Sequence, residues 1–222
     1  MKLVGMVSWW DEGLSLLESC FWGMARLGVT HVVAVDGVLN LYPGGKPNSP
    51  SVTYEYLVHL SDKTKLELML YRNQDRWEGN EVGKRQFMLE LALTLTTDDD
   101  WLVIWDTDYV LLNSTVREKV HGLLEETELN YGDVSYGESK DHLYKARLLM
   151  RARRGLHLTT NHYIYHGPEG DQSWMLGTGD EAQALQMRFI KVYHNRLLRP
   201  PDRNAGRAVF YERRDQMRIE YR

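Results

Sequence analysis

Two carboxylates stand one residue apart in WLVIWDTDYVLL, residues 101–112, directly after an apolar run. If both ionise in a dry cleft they repel each other unless a cation compensates. Hard divalent cations favour carboxylate oxygen, and Mg²⁺ or Mn²⁺ commonly takes one or two protein carboxylates together with substrate phosphates. Asp106 and Asp108 are therefore candidate ligands for a metal–diphosphate. Aspartate is also a frequent turn former, so the pair taken alone reads first as a solvated turn. The preceding WLVIW favours the metal reading, because a buried strand fixes carboxylates that a loop would leave loose.

Other groups extend this chemistry. His194, in KVYHNRLLR, carries an imidazole that can complete the coordination of a cation already held by Asp108, with Arg196 or Arg199 meeting phosphate charge. A lone histidine otherwise reads as a structural core residue. Asp36, in VVAVDG, has two readings: an Asp-Gly turn, or a carboxylate accepting a hydrogen bond from a base or ribose. Lys84 and Arg85 open a helical stretch, where cations oppose the helix dipole. An anion such as phosphate would compensate; a solvated basic pair is the alternative. His157, His162 and His166 are spaced by five and four residues in β-like sequence, too irregular for a zinc site to be favoured. The chain holds seven Trp and thirteen Tyr against four Phe, rings that combine an apolar face with a polar handle and suit sugar or base stacking. Trp174 stands for the same choice, sugar platform or core residue.

These side chains need a scaffold. KLVGMVS, 2–8, reads as a buried strand, and 12–27 as a helix with Leu14, Leu17, Phe21, Met24 and Leu27 at helical spacing and Gly28 to stop it. THVVAVDG, 30–37, is a second strand, completing a βαβ unit that implies parallel pairing. Residues 40–53, with Pro43, Gly44, Gly45, Pro47 and Pro50, form a loop expected to be mobile. A helix over 53–61, a strand over 65–72, a helix over 81–95 and the strand of WLVIWDTD follow. The alternation predicts an α/β fold with a doubly wound sheet. Beyond it, STVREKVHGLLEET predicts a helix with Ser114 as N-cap. Residues 143–166 predict β structure split at Arg154-Gly155, and 180–190 a last helix. In such sheets ligands gather beyond the carboxyl ends of the strands. Ser8 with Asp11 and Glu12, then Asp36, then Asp106 and Asp108 all fall there and should share one rim.

The 222 residues are 43% hydrophobic and 26% charged, enough for one substantial core, and predict one domain with a first half, 1–115, and an elaborated second half, 116–222. A net charge of −4 argues against a general nucleic-acid or membrane-surface binder, the basic stretch KARLLMRARR aside. Cys20 is the only cysteine, which excludes an intrachain disulfide and a cysteine-based zinc site. The N-terminal stretch lacks the pattern of a signal peptide and no apolar run reaches membrane-spanning length, so a cytoplasmic protein without a membrane span is expected.

LVGMVSWWDEGLSLLESC, VVAVDG, EVGKRQFMLELAL, DDDWLVIWDTDYVLL and VYHNRLLR, in that order, resemble the GT-A fold glycosyltransferases, particularly the family 2 type with its DxD motif. The resemblance covers most of residues 1–115 and the region of His194. It implies a mixed, mostly parallel central sheet flanked by helices, with a β-rich C-terminal part. It further implies a nucleoside-diphosphate sugar donor (a UDP-sugar favoured), Mn²⁺ or Mg²⁺, and a protein or glycan acceptor. Ser8, Trp9 and Asp36 would hold the nucleoside, Asp106 the ribose, and Asp106, Asp108 and His194 the metal. Asp171, Asp180 and Glu181 are the candidates for a catalytic base. The chain departs from the family's pattern at Ser8-Trp9-Trp10-Asp11, where a small or proline-containing turn is usual. A metal-dependent nucleotidyltransferase is an alternative, but SWWDEG is acidic and aromatic where that class carries a Gly-rich basic loop. A non-catalytic nucleotide-sugar-binding module is the other.

Overall fold

Short apolar strands separated by amphipathic helices dictate the first half of the chain. The structure, a computed structural model, describes residues 1–78, 81–139, 142–158, 164–167, 172–174, 184–195 and 201–220. Strand β1 (Leu3–Trp9), helix α1 (Leu14–Leu27), β2 (His31–Asp36), α2 (Ser51–Thr64), β3 (Glu67–Arg72), α3 (Glu81–Thr94) and β4 (Trp101–Ile104) alternate as expected. α1 ends where Gly28 adopts φ 107°, its N–H reaching the carbonyls of Met24 and Ala25. Only glycine takes this left-handed geometry without strain.

β5 (Tyr109–Leu111), α4 (Arg117–Glu126), β6 (Tyr131–Ser139), β7 (His142–Arg151), β8 (His157–Leu158), β9 (Ile164–His166), β10 (Gln172–Trp174), β11 (Ala184–His194) and α5 (Pro201–Glu220) follow. Eight strands form one mixed sheet in the order β3-β2-β1-β4-β7-β6-β11-β5, and β10-β9-β8 a small second sheet. The block β3-β2-β1-β4 is parallel; β7 joins it antiparallel, β6 and β11 pair parallel, and β5 closes the edge antiparallel to β11. The fold is thus α/β with a sheet that is parallel on one side and mixed on the other.

The chain runs outward from β1 to β3, then crosses back to β4 beyond β1. Right-handed crossovers therefore put α1 and α2 on one face and α3 on the other. The crevice between the carboxyl ends of β1 and β4 is the topological switch point of the parallel block. β4 and β5 lie four places apart in the sheet, ~19 Å if flat. Only residues 105–108 connect them, through a turn in which Tyr109 N–H donates to the Asp106 carbonyl at 3.0 Å. The sheet must therefore curl, bringing its β5 edge back beside the end of β4. WLVIWDTDYVLL is two strands, and both aspartates sit in the turn between them.

Three expectations need correction. Residues 184–190 of the last helix expected from the sequence, 180–190, belong to strand β11; residues 180–183 lie outside the described residues. Its buried positions are Ala184, Met187, Ile190, Val192 and His194. A bulge between Met187 and Lys191 shifts the register there, so spacings of three imitate a helix before spacings of two resume. The N-cap position of α4 is Val116, not Ser114. The Thr115 hydroxyl and the Val116 N–H both reach back to the Arg26 carbonyl at the end of α1, and the helix starts two positions later. Of the loop expected over residues 40–53, residues 51–53 belong to α2, and the rest is held by hydrogen bonds: Arg76 donates to the carbonyls of Tyr42, Gly44 and Gly45, Trp10 to that of Lys46, and Val38 to that of Pro47. Helix α5 was not anticipated, although Pro201 at its first position is a known start signal. Among the described residues, no helix is long and apolar enough to cross a membrane.

Candidate active site

The carboxyl ends of β1, β2 and β4 share one rim, as their parallel register requires. A cavity of about 120 Å³ opens there, and its lining includes Ser8, Glu12, Leu39, Arg85, Asp106 and Phe210. Of the residues expected to share this rim, Ser8, Glu12 and Asp106 line the cavity while Asp11, Asp36 and Asp108 do not; Trp9, Lys84 and Arg85, expected to contact the nucleotide, line it as well. What their side chains do differs from residue to residue.

Asp108 is fully buried, and its Oδ2 lies 2.8 Å from Nε2 of His194. The two are 86 positions apart in the chain. β11 pairs antiparallel with β5, placing His194 opposite Tyr109, and Asn195 N–H donates to the Asp108 carbonyl at 2.8 Å. The other imidazole nitrogen, Nδ1, is 2.7 Å from the Tyr136 hydroxyl. The two contacts together fix the orientation of the ring. The edge of Tyr109 packs on His194 and on Tyr136, closing the cluster with aromatic surface. Burial first, and then the nearby carboxylates of Asp106 and Asp108 against a lowering contact from Tyr109, push the Tyr136 phenol above its ordinary range.

Asp106 turns the other way. Its Oδ1 accepts from Arg85 Nη2 at 2.8 Å. Burial works against the Arg85 charge, but Asp106, with Tyr165, Glu81 and Tyr109 behind it, holds the guanidinium pKa above its usual value. The Tyr165 phenol beside this pair is pushed up to about 12 by burial, opposed by Arg85 and reinforced by Asp106. The DxD turn thus points one carboxylate at an arginine and the other at a histidine.

Lys84 explains itself without phosphate. Its Nζ donates to the carbonyls of Trp9 and Gly37, each at 2.7 Å, tying the ends of β1 and β2 together. Those contacts offset its unfavourable place in the first turn of a helix. Gly37, directly after β2, has φ 122°, a geometry that glycine takes without strain. The Asp36 carboxylate is fully buried and accepts from Ser49, the N–H at 2.8 Å and the hydroxyl at 2.6 Å. It anchors the 40–50 loop and does not line the cavity. The Trp9 ring is buried against Tyr54 at 5.2 Å, leaving Trp10, edge-on to Tyr42 at 4.9 Å, as the indole at the rim. Asp171, Asp180, Glu181, His162, Arg196 and Arg199 lie outside the described residues, as does the Trp174 side chain.

Among the described residues, no three His, Cys, Asp or Glu side chains gather as a metal-binding group. The expected trio separates: Asp108 and His194 meet, while Asp106 is engaged by Arg85. A carboxylate and an imidazole with a hydrogen-bonded second nitrogen suit Mn²⁺, which needs few protein ligands when substrate oxygens complete its shell. Sequence reasoning missed Tyr136, Arg207, Phe210 and Tyr42, all of which border the site. Tyr136 lies in a strand whose pairing partner could not be read from local pattern, and the other three depend on where α5 and the fastened loop pack. No protein-family model matches the chain, and no curated protein matches it in sequence.

Proposed function

We propose that the chain is a metal-dependent glycosyltransferase that moves a sugar from a nucleoside-diphosphate sugar, a UDP-sugar in the favoured case, to a protein or glycan acceptor. The observation that carries this reading is the DxD turn at the switch point of the parallel block, where Asp106 lines the cleft and Asp108, two residues on, meets His194. The mixed sheet agrees with the architecture that the GT-A resemblance implies, and the order of motifs supports the same reading. Asp108 and His194 would hold the divalent cation, and the cation would supply electrostatic stabilisation of the leaving diphosphate.

The remaining roles belong to the chain itself. Tyr136 holds the His194 ring so that its Nε2 stays on the Asp108 side. Arg85 holds one oxygen of Asp106 at the cleft wall, and the other oxygen suits a ribose hydroxyl. Lys84 fixes the separation of the β1 and β2 ends, which frame the nucleoside. Ser8, Val38 and Leu39 offer a small hydroxyl and apolar walls to a base. In the transfer, the C1–O bond to the diphosphate breaks with its electron pair leaving on the diphosphate, a bond from C1 to the acceptor oxygen replaces it, and the acceptor hydroxyl gives its proton to solvent water.

A thermal-shift panel of nucleoside diphosphates and nucleotide sugars, with and without Mn²⁺, tests this reading. A ligand that binds only the native state raises the midpoint by mass action. The expected result is a rise for one nucleotide class that requires Mn²⁺. A panel in which no nucleotide shifts the midpoint with metal present contradicts it.

A further inference from the structure

Three cations line the cleft, and two are already matched within the fold. Lys84 donates to two backbone carbonyls and Arg85 is paired with Asp106. The third is Arg207, brought in by α5. Its Nε and Nη2 both donate to the Tyr211 hydroxyl, at 3.1 and 2.9 Å, and the guanidinium lies 5.4 Å from that ring. Among the described residues it makes no ion pair, although it is half-buried and lines the same cavity as Asp106. A buried charge is normally paired, and a neutral phenol answers little of the hydrogen-bonding capacity of five guanidinium N–H groups. Burial disfavours the charge, while Tyr211, Glu81 and Asp108 act to keep it.

The helix is also seated rather than loosely appended. Gly206 packs so closely on Tyr42 that an added Cβ would lie 2.2 Å from its hydroxyl oxygen, and Phe210 is almost fully buried at the cavity wall. Arg207 is therefore held at the cleft between these two contacts. A planar guanidinium presented this way matches phosphate oxygens in number and geometry.

We propose that Arg207 is the residue that binds the diphosphate of the donor, a role the basic pair Lys84-Arg85 is too committed to fill. This rests on the donor-cleft reading above. The diphosphate oxygens accept from Arg207 once the nucleotide enters, and α5 becomes the wall that separates nucleoside diphosphates from uncharged nucleosides.

The test is calorimetric titration of the full chain, wild type, R207Q and R207K, with Mn²⁺ alone and with UDP in the presence of Mn²⁺. The expected result is Mn²⁺ binding equal in all three, UDP affinity lowered about tenfold or more in R207Q, and a smaller loss in R207K. R207Q binding UDP within twofold of wild type overturns the Arg207 assignment and leaves the donor cleft standing. Loss of Mn²⁺ and UDP together in R207Q, with R207K restoring neither, makes Arg207 a structural residue and overturns the assignment. Absence of UDP binding by the wild-type chain overturns the donor reading and Arg207 with it.

Discussion

His194 shows how one residue's chemistry is set by its neighbours. Nothing within KVYHNRLLR distinguishes a metal ligand from a core histidine. The distinction comes from Asp108 at 2.8 Å on one nitrogen and Tyr136 at 2.7 Å on the other. If Tyr136 orients the ring, Tyr136→Phe should weaken Mn²⁺ affinity about tenfold while changing the melting temperature little. Equal Mn²⁺ affinity in calorimetry would make the phenol a packing residue only. Asp106 and Asp108 were legible in the sequence as a pair, but their opposite commitments were not. Which way a carboxylate turns depends on Arg85 and His194, and those contacts span 21 and 86 positions.

Among the elements, the parallel block was legible because its short apolar strands, almost wholly buried in β1, β2 and β4, are separated by helices with clear periodicity. β11 was not, because a bulge gave its buried positions a helical spacing. The division of WLVIWDTDYVLL into two strands was hidden for a different reason: a continuous apolar run says nothing about a turn that curling of the sheet demands. The rim itself depends on Lys84, whose buried ammonium bridges the ends of β1 and β2. Lys84→Met keeps the stem but leaves two carbonyls without their donor. It should cost about 1–3 kcal/mol of stability, read as a lower urea midpoint at unchanged slope. A midpoint equal to wild type would show that the bridge contributes nothing to the frame.

Across the whole molecule, packing takes several phenols out of water. Tyr54, Tyr109, Tyr136 and Tyr165 all have pKa values raised, burial being the first cause in each. An unfolded chain releases phenolic protons near pH ~10, whereas the folded chain keeps these. Above that pH the native state binds more protons than the unfolded one, so stability is full below it and falls as pH rises. Urea midpoints should therefore hold to pH ~9 and drop by pH ~11, with phenolate absorbance from these rings appearing only on unfolding. A midpoint that stays constant across that interval would contradict the burial of these hydroxyls.

A metal-held nucleotide depends most directly on Asp108. Calorimetric titration of UDP in the presence of Mn²⁺ should give a binding isotherm with the wild-type chain and none with Asp108→Ala, the melting temperature showing that the variant remains folded. Equal UDP affinity in the two chains would contradict the assignment of this cleft to a metal-held nucleotide.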